Sequence, residues 1–556
     1  MTPLVNLCTT RNLALSLSIC VIPALISCNS PSPSNKAALS APAWQPDLGN
    51  GTYKNAVIHA DYSDPDAIRV DDTYYMTSSS FNSAPGLPLL KSKDMINWEL
   101  VGHALPQQIP VDAFDKPQHG KGVWAPCLRY HDGKFWIFYP DPDFGIYVMT
   151  AEKFAGPWSE PHLLLAGKGI IDPTPLWDDD GQAYLLHAWA KSRSGINNVL
   201  TLRKMSPDAK NLLDDKGPVV IDGNRLPNYK TLEGPKFYKQ SGYYYVFAPA
   251  GGVETGWQSV FRSKNIYGPY EDKIVMEQGK SPTNGPHQGA WVRAQDGSDW
   301  FYHFQDKHAY GRIVHLQPMH WKNNWPVIGE DKNNTGTGEP VIQHAKPVAG
   351  KFAVKNPATS DEFSLPKLGL QWQWNANWKS DWYSLSAHKN QLRLFSVQDP
   401  SYAQKKNLWD VPSLLLQKLP AEKFVVTTAL DTSHLQAGDS TGLIMYGFDY
   451  QWIGVKATPQ GQQLVLVRCE KTEANCQEQT LATINLSQKN LSLRMSVSAE
   501  AKTQFAYSLN AKNFTPVGDL FAASKGRWVG AQMGLFALGD GGKSFVDVDY
   551  FRVTAE

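Results

Sequence analysis

Five residues with chemically useful side chains recur in register along this chain. Asp64 in Tyr62-Ser63-Asp64-Pro65-Asp66, Trp124 in Val123-Trp124-Ala125-Pro126, Asp172 in Ile170-Ile171-Asp172-Pro173, Glu233 in Leu232-Glu233-Gly234-Pro235 and His287 in Gly285-Pro286-His287-Gln288 each precede a turn signal by seven to nine residues. If a fold brings equivalent positions together, three carboxyl groups meet. They cannot all ionise in their ordinary range, because like charges and desolvation raise one another's pKa values, so their roles separate. Glycoside hydrolysis uses such a separation: one carboxylic acid protonates the leaving oxygen, and one carboxylate activates water or attacks the sugar carbon. A third acid can tune and orient the donor. Trp124 offers a flat apolar face to a sugar ring, or simply plugs the axis. His287 could hold a water or a metal, or be a satisfied core histidine.

The elements that must position these residues are also repeated. A turn dipeptide followed by an aromatic-rich strand occurs at Asp71-Asp72, Asp132-Gly133, Asp180-Gly181, Ser241-Gly242 and Asp296-Gly297. Asp-Gly between aromatic and β-branched runs is a strong hairpin signal. A second turn pattern trails three copies, at 93–98, 153–158 and 264–270. Units of this size predict four-stranded propeller blades, five of them over residues 52–345. In a propeller the first strand of each blade lines the axis, which makes the five stations converge. An irregular sandwich is the alternative arrangement of the same strands.

Composition agrees with an all-β reading. Among 556 residues, 19 Trp, 23 Tyr, 22 Phe, 43 Gly and 38 Pro favour short strands and tight turns over helical bundles. The 53 Lys and Arg balance 52 Asp and Glu to a net charge of +1, which argues against nucleic acid as a partner. A charged fraction of only 19% argues against a mostly disordered chain.

Taken together, residues 52–345 resemble glycoside hydrolase family 43, five-bladed propeller enzymes that remove xylose or arabinose from plant cell-wall polysaccharides. Ser63-Asp64-Pro65-Asp66 resembles the family's general-base segment, which implies Asp64 as base with Asp66 as its nearest rival. Ile171-Asp172-Pro173 resembles the segment of the acid that modulates and orients the donor, and Glu233-Gly234-Pro235 that of the general acid. The resemblance further implies Phe81 and Trp124 as walls of the terminal-sugar pocket and Arg312 as a ligand of the sugar's hydroxyls. It makes His287 an axial substrate-binding residue near which calcium, mostly water-coordinated, is held. No cofactor is implied for the chemistry. Family members invert the anomeric centre, which places base and acid about 6.5–9.5 Å apart. Gly234 departs from the alanine common after the acid.

The expected activity is therefore exo-acting hydrolysis of hemicellulose-derived glycans, with β-D-xylosidase ahead of α-L-arabinofuranosidase. An arabinan-directed enzyme, a retaining fructan-type propeller and a non-catalytic lipid-anchored glycan-binding protein are the alternatives. The fructan enzymes' Asn-Asp-Pro-Asn wording is absent.

At the amino end, Arg11 precedes an apolar run over 13–27 that reads as a signal peptide, residues 1–28. Leu25-Ile26-Ser27-Cys28 resembles a bacterial lipobox, implying lipidation of Cys28 and anchoring to the cell envelope. Residues 29–51 read as a flexible tether and 346–360 as a linker. From 361 to 556, period-two alternation predicts a β-sandwich, and Asp361-Glu362-Phe363 with Asp549-Tyr550-Phe551-Arg552 resembles the concanavalin-like module that follows the propeller in family 43 xylosidases. Its expected roles are a sugar-binding surface, a loop that closes the pocket, or packing support. Cys469 and Cys476, separated by a polar stretch in an exported chain, are expected to form a local disulfide. Cys127 reads as a small buried residue.

Overall fold

The computed structural model describes residues 42–540 and 542–556. The expected signal peptide, Cys28 and most of the tether lie outside them. Five four-stranded antiparallel sheets follow one another in chain order. Each starts with an inner strand: Asp66–Val70, Cys127–His131, Ile170–Trp177, Lys236–Gln240 and His287–Arg293. Every expected turn joins an inner strand to its second strand. Asp132 and Gly133 have φ of 49° and 72°, and Ser241 and Gly242 have 50° and 74°. Two successive positive values make the type I′ turn that matches strand twist, which is why Gly stands second in both. The three trailing patterns fall between the third and fourth strands of their blades, as expected.

The ring closes without sharing a strand between chain ends inside a blade. Thr52–Lys54 pairs with Gln343–Ala345, tying entry to exit. Tyr74 and Met76 of the first blade pack with Trp300, Tyr302 and Leu316 of the fifth in one buried core. The far end of the expected tether is not free: Trp44 Nε1 donates to Ala56 O at 2.9 Å, and Lys346 Nζ donates to Asp47 Oδ2 at 2.8 Å. An apolar indole and a buried ion pair hold this stretch against the propeller.

After residues 346–360, which carry no strand or helix, two seven-stranded antiparallel sheets face each other. Leu443, Ile453 and Leu464 of one sheet meet Val426, Leu493 and Phe505 of the other in a common core. The module's two ends pair through Asp361 and Phe551, whose backbone groups exchange hydrogen bonds of 2.7 and 2.8 Å. Cys469 and Cys476 are disulfide-bonded with Cα atoms 5.8 Å apart. Cys127 is buried, and burial pushes its thiol up to about 12. Among the described residues the α-helices are two short ones, Lys191–Ser194 and Pro400–Lys405. No described helix is long and apolar enough to cross a membrane.

Candidate active site

Asp64, Asp172, Glu233, Phe81, Trp124 and Arg312 share one cavity of about 500 Å³ at the propeller axis. The sequence register explains the convergence. Asp64, Trp124 and Glu233 stand two or three residues before their inner strands, Asp172 lies near the start of its own, and His287 opens the fifth. The inner strands are irregular there, with register shifts between Ile171 and Thr174 and between His287 and Gly289. Asp64 and Asp172 have φ of 53° and 54°, and Gln288 has 35°. Non-glycine residues in that region cost roughly 1–3 kcal/mol each and persist only where the surrounding structure holds them. Here the distortion turns the carboxyl groups out of the pleat toward the axis.

Asp64 is buried, and donors surround it. Ser63 Oγ and Ser79 Oγ each donate to Oδ2 at 2.6 Å, and Arg312 Nη1 lies 3.4 Å from both carboxylate oxygens. Arg312 Nη1 also donates to Ser63 Oγ at 3.1 Å. Asp66, the rival, points elsewhere: its Oδ2 accepts from Leu128 N at 2.8 Å and Arg129 Nη1 at 2.9 Å, with Lys236 Nζ at 3.5 Å. It is fully buried in an ion network below the pocket and does not line the cavity.

Asp172 accepts the backbone N–H of Gly234 at 2.8 Å. Burial, and then the negative charges of Glu233 and Asp64, push its carboxyl well above the usual range, while the Gly234 N–H and Lys236 offset part of the effect. Gly234 stands where alanine is common in the family, with φ of 60° and Gln288 Cδ only 2.7 Å from where a Cβ would sit. Glu233 keeps a partly exposed side chain, and its Oε1 lies 3.2 Å from His287 Nε2. His287 therefore touches the acid and lies behind the cavity wall.

Calcium collects about six to eight oxygens. His287 Nδ1 is buried without a hydrogen-bond partner, which leaves it as one ligand position. Among the described residues no group of three or more His, Cys, Asp or Glu side chains could hold a metal ion.

Three aromatic rings wall the cavity. Phe81 and Trp124 stand edge to face with centroids 6.5 Å apart, and Trp124 meets Trp528 in the same way at 6.3 Å. Trp528 comes from the sandwich, in the loop Lys525-Gly526-Arg527-Trp528-Val529-Gly530, so a loop of that module completes the pocket. Nothing in its local spacing marks it in the sequence. Gln288 also lines the cavity, and its Nε2 is buried without a hydrogen-bond partner.

With this geometry in place, the sequence model of glycosyl hydrolases family 43 matches residues 53–326, and that of the beta xylosidase C-terminal concanavalin A-like domain matches 360–554. The chain belongs to glycoside hydrolase family 43. It is similar to a putative beta-xylosidase of Xylanibacter ruminicola, 38% identical over 88% of this chain and 86% of that one. A beta-xylosidase of Formosa agariphila is 32% identical over 97% and 98% of the two chains. A non-reducing end alpha-L-arabinofuranosidase of Bacteroides ovatus is 28% identical over 76% and 79%. Among solved structures, a xylan beta-1,4-xylosidase of Bacillus halodurans shares the fold, with a TM-score of 0.79 at 24% identity over 90% of this chain and 99% of that one. As a family 43 glycoside hydrolase, the protein is an enzyme, and its axial cavity is the candidate active site. The family needs no cofactor for its chemistry.

Proposed function

We propose that this enzyme releases single terminal pentoses, β-D-xylose and α-L-arabinofuranose, from hemicellulose-derived glycans with inversion at the anomeric carbon. The observation that carries this reading is one cavity in which Asp64, Asp172 and Glu233 converge between Phe81, Trp124 and Trp528. Relatives with xylosidase and arabinofuranosidase names support both sugars. Family membership sets aside the fructan-type alternative, and a full set of acids is more than a glycan-capture protein requires.

In this reading Asp64, whose oxygens receive only donors, takes a proton from the attacking water. Glu233 reaches into the cavity and protonates the leaving oxygen, with its carboxyl oriented by His287. Asp172, bonded to the amide of Gly234, fixes the backbone that carries Glu233 and keeps its own proton well above the ordinary carboxylate range. The aromatic walls take the faces of the terminal ring, and Arg312 and Gln288 donate to its hydroxyls. A panel of aryl β-xylosides, aryl α-L-arabinofuranosides and branched oligosaccharides, with the first-formed anomer followed by proton NMR, tests the assignment. Release of the same anomer as the substrate would overturn the inverting mechanism, and inertness toward every pentoside would overturn the substrate class.

Calcium on the axis would take His287 Nδ1 as its protein ligand and water otherwise, would offset the carboxylates' charge, and enters no step. Full activity of a preparation shown by elemental analysis to be metal-free would remove it. Export and lipid anchoring at Cys28 are supported by the amino-terminal wording and by a disulfide suited to an oxidising compartment. Undiminished incorporation of labelled fatty acid in Cys28→Ala would refute the anchor.

A further inference from the structure

The sandwich reaches the cavity through Trp528, and one buried propeller carboxylate sits where that loop meets the catalytic segment. Asp61 is three residues before Asp64 and only 6% exposed. Its Oδ1 accepts the backbone N–H of Arg312 at 2.9 Å, and its Oδ2 accepts that of Gly530, also at 2.9 Å. Arg312 is the residue whose guanidinium faces Asp64, and Gly530 follows Trp528 by two positions. The Gly311–Arg312 and Gly530 backbones lie against each other and against the Asp61 side chain. A Cβ on Gly311 would lie 2.5 Å from Asp61 Cγ, and one on Gly530 would lie 2.6 Å from Gly311 N. Either substitution would force these segments apart.

We infer that Asp61 is a positioning residue that clamps the Trp528 loop of the sandwich to the Arg312 segment of the propeller, and so sets the width of the sugar pocket. Other ties hold the loop, but each grips it at one point. Ala531 N donates to Ala309 O at 2.7 Å, Phe448 N donates to Lys525 O at 2.9 Å, and Lys525 pairs with Glu254 at 3.0 Å on the exposed rim. Among them only Asp61 joins the loop to the backbone of the residue that touches the base. A carboxylate suits this place because it accepts on both oxygens, and hydrogen bonds to an ionised group are stronger than neutral ones. An amide of the same shape has one acceptor oxygen and presents N–H against N–H at the other position. The inference rests on the pentosidase reading for its kinetic test and on structure alone for its second test.

Asp61→Asn keeps the shape and breaks one arm of the clamp. On 4-nitrophenyl β-D-xyloside and 4-nitrophenyl α-L-arabinofuranoside we expect KM to rise about tenfold, the low end for losing a hydrogen bond to a charged group, with kcat changed by less than about threefold. Trp528→Ala alone should raise KM similarly, and in that background D61N should add less than about twofold, because the two changes remove one interaction. Hydrogen exchange, read without substrate, should speed up at the amides of Gly530 and Arg312 in D61N. Losses that multiply in the double variant, an unchanged KM, or unchanged exchange at both amides would each overturn the clamp. If the wild-type enzyme hydrolyses neither glycoside, the functional reading fails, and exchange still decides the clamp. Should D61N not fold, Asp61→Ser, which retains a hydroxyl acceptor and leaves room for water, carries the same comparisons.

Discussion

Asp172 shows how one side chain can serve chemistry at a cost to stability. Its carboxyl is held protonated well above the ordinary range by burial and by Glu233 and Asp64. A group whose folded pKa is raised contributes stability that is fully present below its unfolded value, near 4, and is lost as pH rises through the folded value. Asp172→Asn has no charge to bury. Its melting temperature relative to wild type should therefore climb between pH 5 and pH 9 by at least about 2 °C, the shift that ~1 kcal/mol makes in a large domain, while its activity falls. A difference that is flat with pH, measured by differential scanning calorimetry, would mean that Asp172 is not buried as a neutral acid. Glu233 makes a second prediction at this scale. Glu233→Gln should lose at least about a hundredfold in kcat on unactivated xylo-oligosaccharides, the low end for general acid catalysis. It should lose much less on aryl xylosides with good leaving groups, which need little protonation. Equal losses on both would take Glu233 out of the acid role.

The inner strands are the elements that carry the site, and they are keyed to one another just below it. Asp66, Arg129, Thr174 and Lys236 belong to the first strands of blades one to four. Asp66 binds Arg129 and Lys236, and Arg129 Nη2 donates to Thr174 Oγ1 at 3.0 Å. Lys236 also reaches Pro126 O at 3.0 Å. Since Asp64, Asp172 and Glu233 stand two or three residues before Asp66, Thr174 and Lys236, this network sets their spacing around the axis. Breaking a buried pair by removing one partner strands a charge and costs about 3–5 kcal/mol. Asp66→Asn, which strands both Arg129 and Lys236, is therefore expected to lower the denaturation midpoint more than Asp64→Asn, which strands Arg312 alone and loses activity. Urea unfolding followed by Trp fluorescence separates the two. If Asp66→Asn were as stable as wild type and inactive, the base would have to be reassigned.

At the scale of the whole molecule, the sandwich builds two of the three aromatic walls. It contributes Trp528 directly, and it grips the loop that bears Phe81. Asn82 Nδ2 donates to Asn375 O at 2.8 Å, and Ala84 and Trp374 exchange backbone hydrogen bonds of 3.1 and 2.7 Å. Gln108 N donates to Asn377 Oδ1 at 2.7 Å on the same side. The two domains also share a core, in which Ala56, Ala309, Tyr310 and Ile313 of the propeller pack with the sandwich interior. A chain ended after residue 345 would expose that apolar surface and lose both wall supports. We expect it to aggregate on expression and to show no measurable pentosidase activity, whereas Trp528→Ala in the full chain should stay monodisperse by light scattering and retain kcat. A soluble, fully active propeller alone would show that the sandwich is dispensable.

What could be read from residue order was whatever short-range chemistry dictates. Four of the five turns were legible because Asp-Gly and Ser-Gly take positive φ at little cost between aromatic strands, Asp71-Asp72 fell at the same place in the repeat, and the repeat placed three acids, a Trp and a His in one register. The base segment was legible too, but Asp64 and Asp66 share a strand face in the sequence. Only the tertiary structure separated them, by giving Asp66 to Arg129 and Lys236. The left-handed φ at Asp64 and Asp172 left no mark in the sequence, because neighbouring blades enforce it. Trp528 was invisible for a stronger reason. Asp61 and Gly530 stand 469 residues apart, and no periodicity spans that gap. Their contact exists because two separately patterned β modules bury apolar surface against each other, and that docking, rather than any local preference, places an aromatic ring from one module in the active site of the other.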